Sequence, residues 1–168
     1  MRNLFDLSGK RALITGSAQG IGHLLAGGLA EYGAEIIIND RTQARADQAA
    51  QVEQAIARIE EEIGAIDILI NNAGIQRRFP FTEFPEEEWD NVIEVNQNGV
   101  LLVSQQVAKY MMGRRAGKII NICSMQSELG RKTITPYAAS KGAVKMLTRG
   151  MCVELAEYNI QVNGIAPG

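Results

Sequence analysis

The sequence predicts an α/β domain, doubly wound: a parallel sheet of about five strands with helices over both faces. Three observations carry that expectation. Short apolar runs alternate with stretches of helical period. The runs are apolar nearly throughout, as strands buried on both faces must be. A glycine-rich turn joins the first run to the first helical stretch.

The first strand covers 11–15, and a helix follows over 21–32, with Gly33 as its stop. Residues 35–39 are a second strand. Residues 51–63 read as a helix with Val52, Ile56, Ile59 and Ile63 on one face. A third strand, 66–70, ends at Asn71-Asn72-Ala73-Gly74. After a loop with Pro80 and Pro85, Glu86, Glu87 and Glu88 open a helix, where acids suit the positive end of its dipole. A long helix is expected from about 96 to 112. The fourth strand is 118–122, a helix runs from about 136 to 158, and the fifth strand is 160–164. Repeats and linkers are absent, so 1–168 reads as a single domain.

Composition narrows the function classes. Of 168 residues, 46% are hydrophobic and 21% charged, an ordinary globular balance. The net charge of −2 and the lack of a basic stripe argue against a nucleic-acid partner. The longest apolar runs have strand length and the first residues lack a secretory signal, so a cytoplasmic protein without membrane partners is expected. The two cysteines, Cys123 and Cys152, make no disulfide or metal framework and are expected as free core thiols. No metal site is expected, and His23 reads as structural.

In such sheets ligands bind at the carboxyl ends of the strands. The segment Thr15-Gly16-Ser17-Ala18-Gln19-Gly20-Ile21-Gly22 lies there, after a strand and before a helix. Gly16 permits a tight turn, Gly20 lets backbone approach a pyrophosphate, and Gly22 allows close helix packing. Free N–H groups and the dipole at the helix start favour phosphate. Ser17, Gln19 and Ile21 belong to the same cradle. Asp40 ends the second strand, 18 residues after Gly22, where an acid can accept ribose hydroxyls and favour NAD. Arg41 follows and can instead pair with a 2′-phosphate, favouring NADP. Local chemistry leaves both open.

Tyr137 and Lys141 are four apart near a helix start, so they share a face. A tyrosine phenol in water titrates at about 10, and a neighbouring ammonium favours its phenolate. Tyr137 can then exchange a proton with a carbonyl or alcohol. Ser124, 13 residues earlier at a strand end, can hold the substrate oxygen.

With these motifs in this order, the chain resembles the short-chain dehydrogenase/reductase family throughout. Thr-Gly-x-x-x-Gly-Ile-Gly, Asn71 to Gly74, Ser124, Tyr137-Ala138-Ala139-Ser140-Lys141 and Asn163 to Gly168 carry the resemblance. It implies that Asn96 is a fourth catalytic residue, holding a water that links Lys141 to solvent. It implies that Asn71, Ala73 and Gly74 line the adenosine side of the cofactor, and that Ile165 and Gly168 approach the nicotinamide. It also implies a homo-oligomer, dimer or tetramer, paired through the helices at about 96–112 and 136–158. Their inward faces include Val103, Val107, Val144 and Leu147, which suit a core equally well.

The segments 39–42, 72–78 and 122–130 resemble members of the family that act on sugar acids, commonly with NADP(H). The implied reaction is hydride transfer between NADP(H) or NAD(H) and a keto or hydroxy sugar acid. Arg77 or Arg78 can supply a cation for the acid's carboxylate. Gln126, Ser127 and Glu128 can meet its hydroxyls beside Ser124.

Two departures stand out. Only about ten residues join the second strand to the next helix, where the family places a further helix and strand. The chain also stops at Pro167-Gly168, ahead of the family's substrate lid. A Rossmann-like order of 3-2-1-4-5-6-7 without its third and seventh strands becomes, renumbered, 2-1-3-4-5. A non-catalytic dinucleotide-binding remnant is therefore the alternative reading, and a flavodoxin-like phosphate or FMN binder a third.

Overall fold

A computed structural model describes residues 4–39 and 48–168. Its elements in chain order are β1 (Arg11–Thr15), α1 (Gly20–Glu31), β2 (Glu35–Asn39), α2 (Gln48–Arg58), β3 (Ile68–Asn71), α3 (Glu86–Ile93), α4 (Gly99–Arg114), β4 (Gly117–Ile122), α5 (Thr135–Leu155) and β5 (Ile160–Ile165). The five strands form one sheet in the order β2-β1-β3-β4-β5. Every neighbouring pair is parallel. This is the shortened doubly wound order expected from the sequence.

Alternation along each strand divides the core. Leu13, Leu69, Ile119, Ile160 and Val162 face one way, packed with Ile56 of α2 and with Val107 and Met111 of α4. Met151 and Leu155 of α5 close that layer. Ala12, Ile14, Ile68, Ile70 and Ile122 face the other way, against Ala26, Leu25 and Leu29 of α1. Each of these buried Leu or Ile side chains contributes roughly 1.5–3 kcal/mol by leaving water. The first layer is the deeper one, because three helices share it.

Several boundaries differ from the sequence expectation, each for a local reason. The third strand begins at Ile68, since Ile66 spends its backbone elsewhere: its N–H donates to Glu60 Oε1 at 3.0 Å and its carbonyl accepts from Arg114. Residues Ile59–Ile63 wind more widely than an α-helix, with Gly64 N–H bonded five residues back to Ile59. That shifts Ile63 off the apolar stripe and leaves it exposed. The long helix begins at Gly99, after a second wide turn over Glu94–Asn98. Cys123 is buried as expected, but Cys152 sits on the outer side of α5 and is exposed, so the two are not both core thiols.

Candidate active site

The glycine turn is built against the segment that follows β3. Gly16 has φ +62°, a left-handed conformation that favours glycine. A Cβ there would lie 2.8 Å from Ala73 Cα. On Gly22 a Cβ would lie 2.4 Å from Asn72 Nδ2 and 2.6 Å from the Gly16 carbonyl oxygen. Asn72 explains this tightness: its Nδ2 donates to the carbonyls of Thr15 and Gly16, both at 2.9 Å. Thr15 Oγ1 accepts from the N–H groups of Asn72 and Ala73, both at 3.1 Å. Two loops far apart in sequence thus form one rigid edge.

Gln19 takes the position before α1 with no side-chain cap, so N–H groups of the first turn stay open to a ligand. Gln19, Gly20 and Ile21 are exposed there. Ser17 is fully buried: its hydroxyl donates to the Ile14 carbonyl at 2.7 Å, leaving it a structural part in the cradle. The uncapped helix start and the glycine cradle fit a dinucleotide pyrophosphate. Asp40 and Arg41 lie outside the described residues.

Ser124 follows β4 and caps a single tight turn, Met125–Ser127. Its hydroxyl oxygen accepts from Gln126 N–H at 3.1 Å, which leaves the hydroxyl proton to donate. Ser127 Oγ accepts from Ser124 N–H at 3.3 Å and donates to the Lys141 carbonyl at 3.0 Å, tying this turn to α5. Gln126 Oε1 is buried without a hydrogen-bond partner among the described residues. Glu128 instead pairs with Lys145 of α5, which holds its carboxyl below the ordinary carboxylate range. Ile165 and Gly168 lie beside this turn: Cys123 N–H bonds the Ile165 carbonyl at 2.8 Å, and Met125 N–H bonds Pro167 at 3.2 Å.

On α5, Lys141 is buried, with Nζ 5.9 Å from the centre of the Tyr137 ring and donating to the Ile122 carbonyl at 2.5 Å. Burial pushes its ammonium below the ordinary lysine value. Asn96 sits in the wide turn before α4 and is fully buried. Its Oδ1 accepts from Ile75 N–H at 2.7 Å; its Nδ2 donates to the Ile75 carbonyl at 2.9 Å and to Ser140 Oγ at 3.1 Å. Ser140 in turn donates to the Tyr137 carbonyl at 2.8 Å. A Cβ on Gly74 would stand 3.5 Å from Asn96 Oδ1 and 3.7 Å from Lys141 Nζ. Asn96 and Lys141 therefore converge beside the bare face of Gly74.

The remaining expected residues separate. Asn71 turns inward, its Nδ2 bonded to Ser104 Oγ and Asn121 Oδ1, each at 2.8 Å. Arg77 is engaged by Glu88 at 2.8 Å, whereas Arg78 is exposed and has no ion-pair partner among the described residues. Sequence reasoning passed over Asn72, Asn121, Ser140 and Thr148. Asn121 carried a signal, a polar side chain in an otherwise apolar strand, which must find a partner when buried.

A parallel sheet with a glycine cradle at one strand end and a Ser–Tyr–Lys–Asn cluster at its neighbours defines a nicotinamide-dependent oxidoreductase. The chain belongs to the short-chain dehydrogenase family, whose model matches residues 10–51 and 46–168. It is 64% identical to the 5-keto-D-gluconate 5-reductase of Escherichia coli K12, over 189 positions covering 100% of this chain and 74% of that protein. It is 48% identical to the gluconate 5-dehydrogenase of Gluconobacter oxydans, covering 99% and 73%. Among solved structures, a gluconate 5-dehydrogenase from Burkholderia cenocepacia, in complex with NADP and tartrate, superposes with a TM-score of 0.91 at 50% identity, covering 98% of this chain and 72% of that one. The first alignment is longer than the chain's 168 residues, and the family match breaks at 46–51. The first shows an internal shortening relative to that protein, and the second places the break in the match at the start of α2.

Proposed function

We propose that the chain is an NADP(H)-dependent reductase that interconverts 5-ketogluconate and gluconate. The observation that carries this reading is the joining of Ser124, Tyr137, Lys141 and Asn96 through Ser127 and Ser140 at one edge of the sheet. Simple dinucleotide binding requires none of these four. The Escherichia coli and Gluconobacter relatives support the substrate by their names, and the Burkholderia structure supports NADP.

When bound, NADPH supplies the hydride; the turn from Gly16 to Gly22 would hold its pyrophosphate, with Ala73, Gly74 and the backbone of Asn71 on the adenosine side, since the Asn71 side chain is spent inward, and Ile165 and Gly168 near the nicotinamide. Arg41 would take the 2′-phosphate, or Asp40 the ribose hydroxyls where NAD is used. Ser124 donates a hydrogen bond from its free hydroxyl to the substrate carbonyl and fixes its orientation, keeping its proton throughout. Tyr137 gives the proton that completes the alcohol, and removes it in the reverse direction. Lys141 restores that proton, with Asn96 positioning the relay water beside Gly74. Arg78 binds the sugar-acid carboxylate, while Arg77 stays in its ion pair with Glu88. Gln126 meets a substrate hydroxyl once its side chain turns out of its buried position, which would satisfy its unpaired Oε1.

The same proposal includes a homo-oligomer paired through α4 and α5, supported by exposed Leu101, Met146 and Val153 on those helices. It includes a cytoplasmic setting, supported by two free cysteines. The test is NADPH oxidation with 5-ketogluconate. Steady turnover is expected; tight NADPH binding without turnover would favour the non-catalytic remnant, and a yellow protein with bound flavin the flavodoxin-like reading.

A further inference from the structure

Tyr137, Lys141, Val144 and Thr148 fall at successive helical intervals and so form one stripe along α5. The first two carry the proposed chemistry; the last reaches the sheet. Asn121 Nδ2 donates to Thr148 Oγ1 at 2.8 Å, and that hydroxyl donates to the Val144 carbonyl at 2.7 Å. Asn121 is fully buried in β4, three residues before Ser124. Its Oδ1 is fixed by Asn71 of β3, its register partner, at 2.8 Å. The side-chain geometry at Asn121 is thus determined before α5 is met.

Elsewhere at this interface the contacts are apolar, such as Val144 with Cys123, or run through the long, flexible side chain of Lys141 to the Ile122 carbonyl. Apolar contact is non-directional and tolerates small slides. A buried hydrogen bond does not, because a misplaced partner leaves a polar group unsatisfied. The bond from Asn121 to Thr148 joins the strand that leads to Ser124 with the helix that carries Tyr137 and Lys141.

We propose that Asn121 and Thr148 are positioning residues: their bond sets the rotation and axial register of α5 against β4, and so the separation of Tyr137 from Ser124. This rests on the reductase reading above. The test is steady-state reduction of 5-ketogluconate with NADPH by the full chain and by Thr148→Val, Thr148→Ser and Ser104→Ala, with thermal melting of each. Thr148→Val keeps the shape and removes the hydroxyl. Its kcat is expected to fall between about tenfold and a hundredfold, the scale of a misplacement near 1 Å, with KM for NADPH unchanged. Thr148→Ser restores kcat. Ser104→Ala breaks a bond in the same buried chain at its α4 end, and lowers the melting temperature while keeping kcat. Should Thr148→Val not fold, Thr148→Cys, with a weaker acceptor, is expected to give an intermediate kcat. A kcat in Thr148→Val or Thr148→Cys equal to that of Ser104→Ala overturns the proposal while leaving the reductase reading intact. A wild-type chain without turnover removes that reading, and the positioning role with it.

Discussion

At the proposed catalytic end of the sheet, Ser124, Lys141 and Asn96 are all buried: Lys141 bonds the Ile122 carbonyl of β4, Asn96 bonds Ser140 of α5, and Ser127 ties the turn after Ser124 to α5. At the proposed adenosine end, β2 is the edge of the sheet, Ile38 is 56% exposed, and a cavity of about 220 Å³ opens among Thr15, Asn39, Gln51, Ala73, Val95 and Val100. The break in the family match falls on this second end, at the start of α2. Loss of a strand at an edge removes one set of ladder bonds and leaves the inner strands paired. The proposed chemistry sits three strands away from β2, on β4 and the elements packed on it. The difference teaches that the two proposed halves of the site rest on different strands, β1 and β2 for one and β4 for the other, so a change at the edge need not reach the second.

The largest expected effect at the adenosine end comes from Gly22→Ala. The new Cβ would collide with Asn72 Nδ2 and the Gly16 carbonyl. Overpacking of that kind costs about 1–3 kcal/mol. A lower melting temperature is expected, with NADPH affinity weakened about tenfold or more, read by fluorescence titration. Gly27→Ala on the same helix meets nothing within 4 Å and should be neutral or slightly stabilising. Equal behaviour of the two variants would break the view of a turn locked onto Asn72.

Next in size is the substrate cation. Arg78→Ala is expected to raise KM for 5-ketogluconate roughly tenfold, the scale of one charged hydrogen bond. Arg77→Ala should change KM less, because Glu88 already holds that guanidinium. The reverse order would move the carboxylate to Arg77.

A smaller effect concerns Lys141. Burial depresses its ammonium, so over the window between its folded value and the ordinary lysine value the unfolded chain binds more protons. Stability contributed by this group therefore rises with pH across that window, and the cost of the buried charge is fully present below it. Lys141→Met should flatten that part of a plot of urea midpoint against pH. An unchanged slope would show that Lys141 is not desolvated.

Much of this was legible in the sequence. Apolar runs and the glycine turn gave the strand–helix alternation, because burial on both faces leaves little room for polar side chains. The order of strands followed from the family resemblance and the short crossover after Asn39. What the sequence hid were ties between distant segments. Asn72 reads as a cofactor-loop residue, yet its side chain builds the turn at Gly16 and Gly22. Asn71 reads the same way and is spent on Ser104 and Asn121. Arg77 and Arg78 are equivalent in sequence and differ only through Glu88, 11 residues away on α3. The wide turns at Ile59–Ile63 and Glu94–Asn98 carry no residue signature, and they moved Ile63 to solvent and Asn96 into the site.

The central claim is that the catalytic end survives the shortening of the adenosine end. It is tested most directly by measuring NADPH binding and 5-ketogluconate reduction on the same preparations of wild-type chain and Tyr137→Phe. Loss of a general acid should lower kcat by about 10²–10⁴-fold. The account predicts equal NADPH affinity in the two proteins and a fall in turnover of that size in the variant. A wild-type chain that binds NADPH without turnover, or turnover by Tyr137→Phe at the wild-type rate, would contradict it.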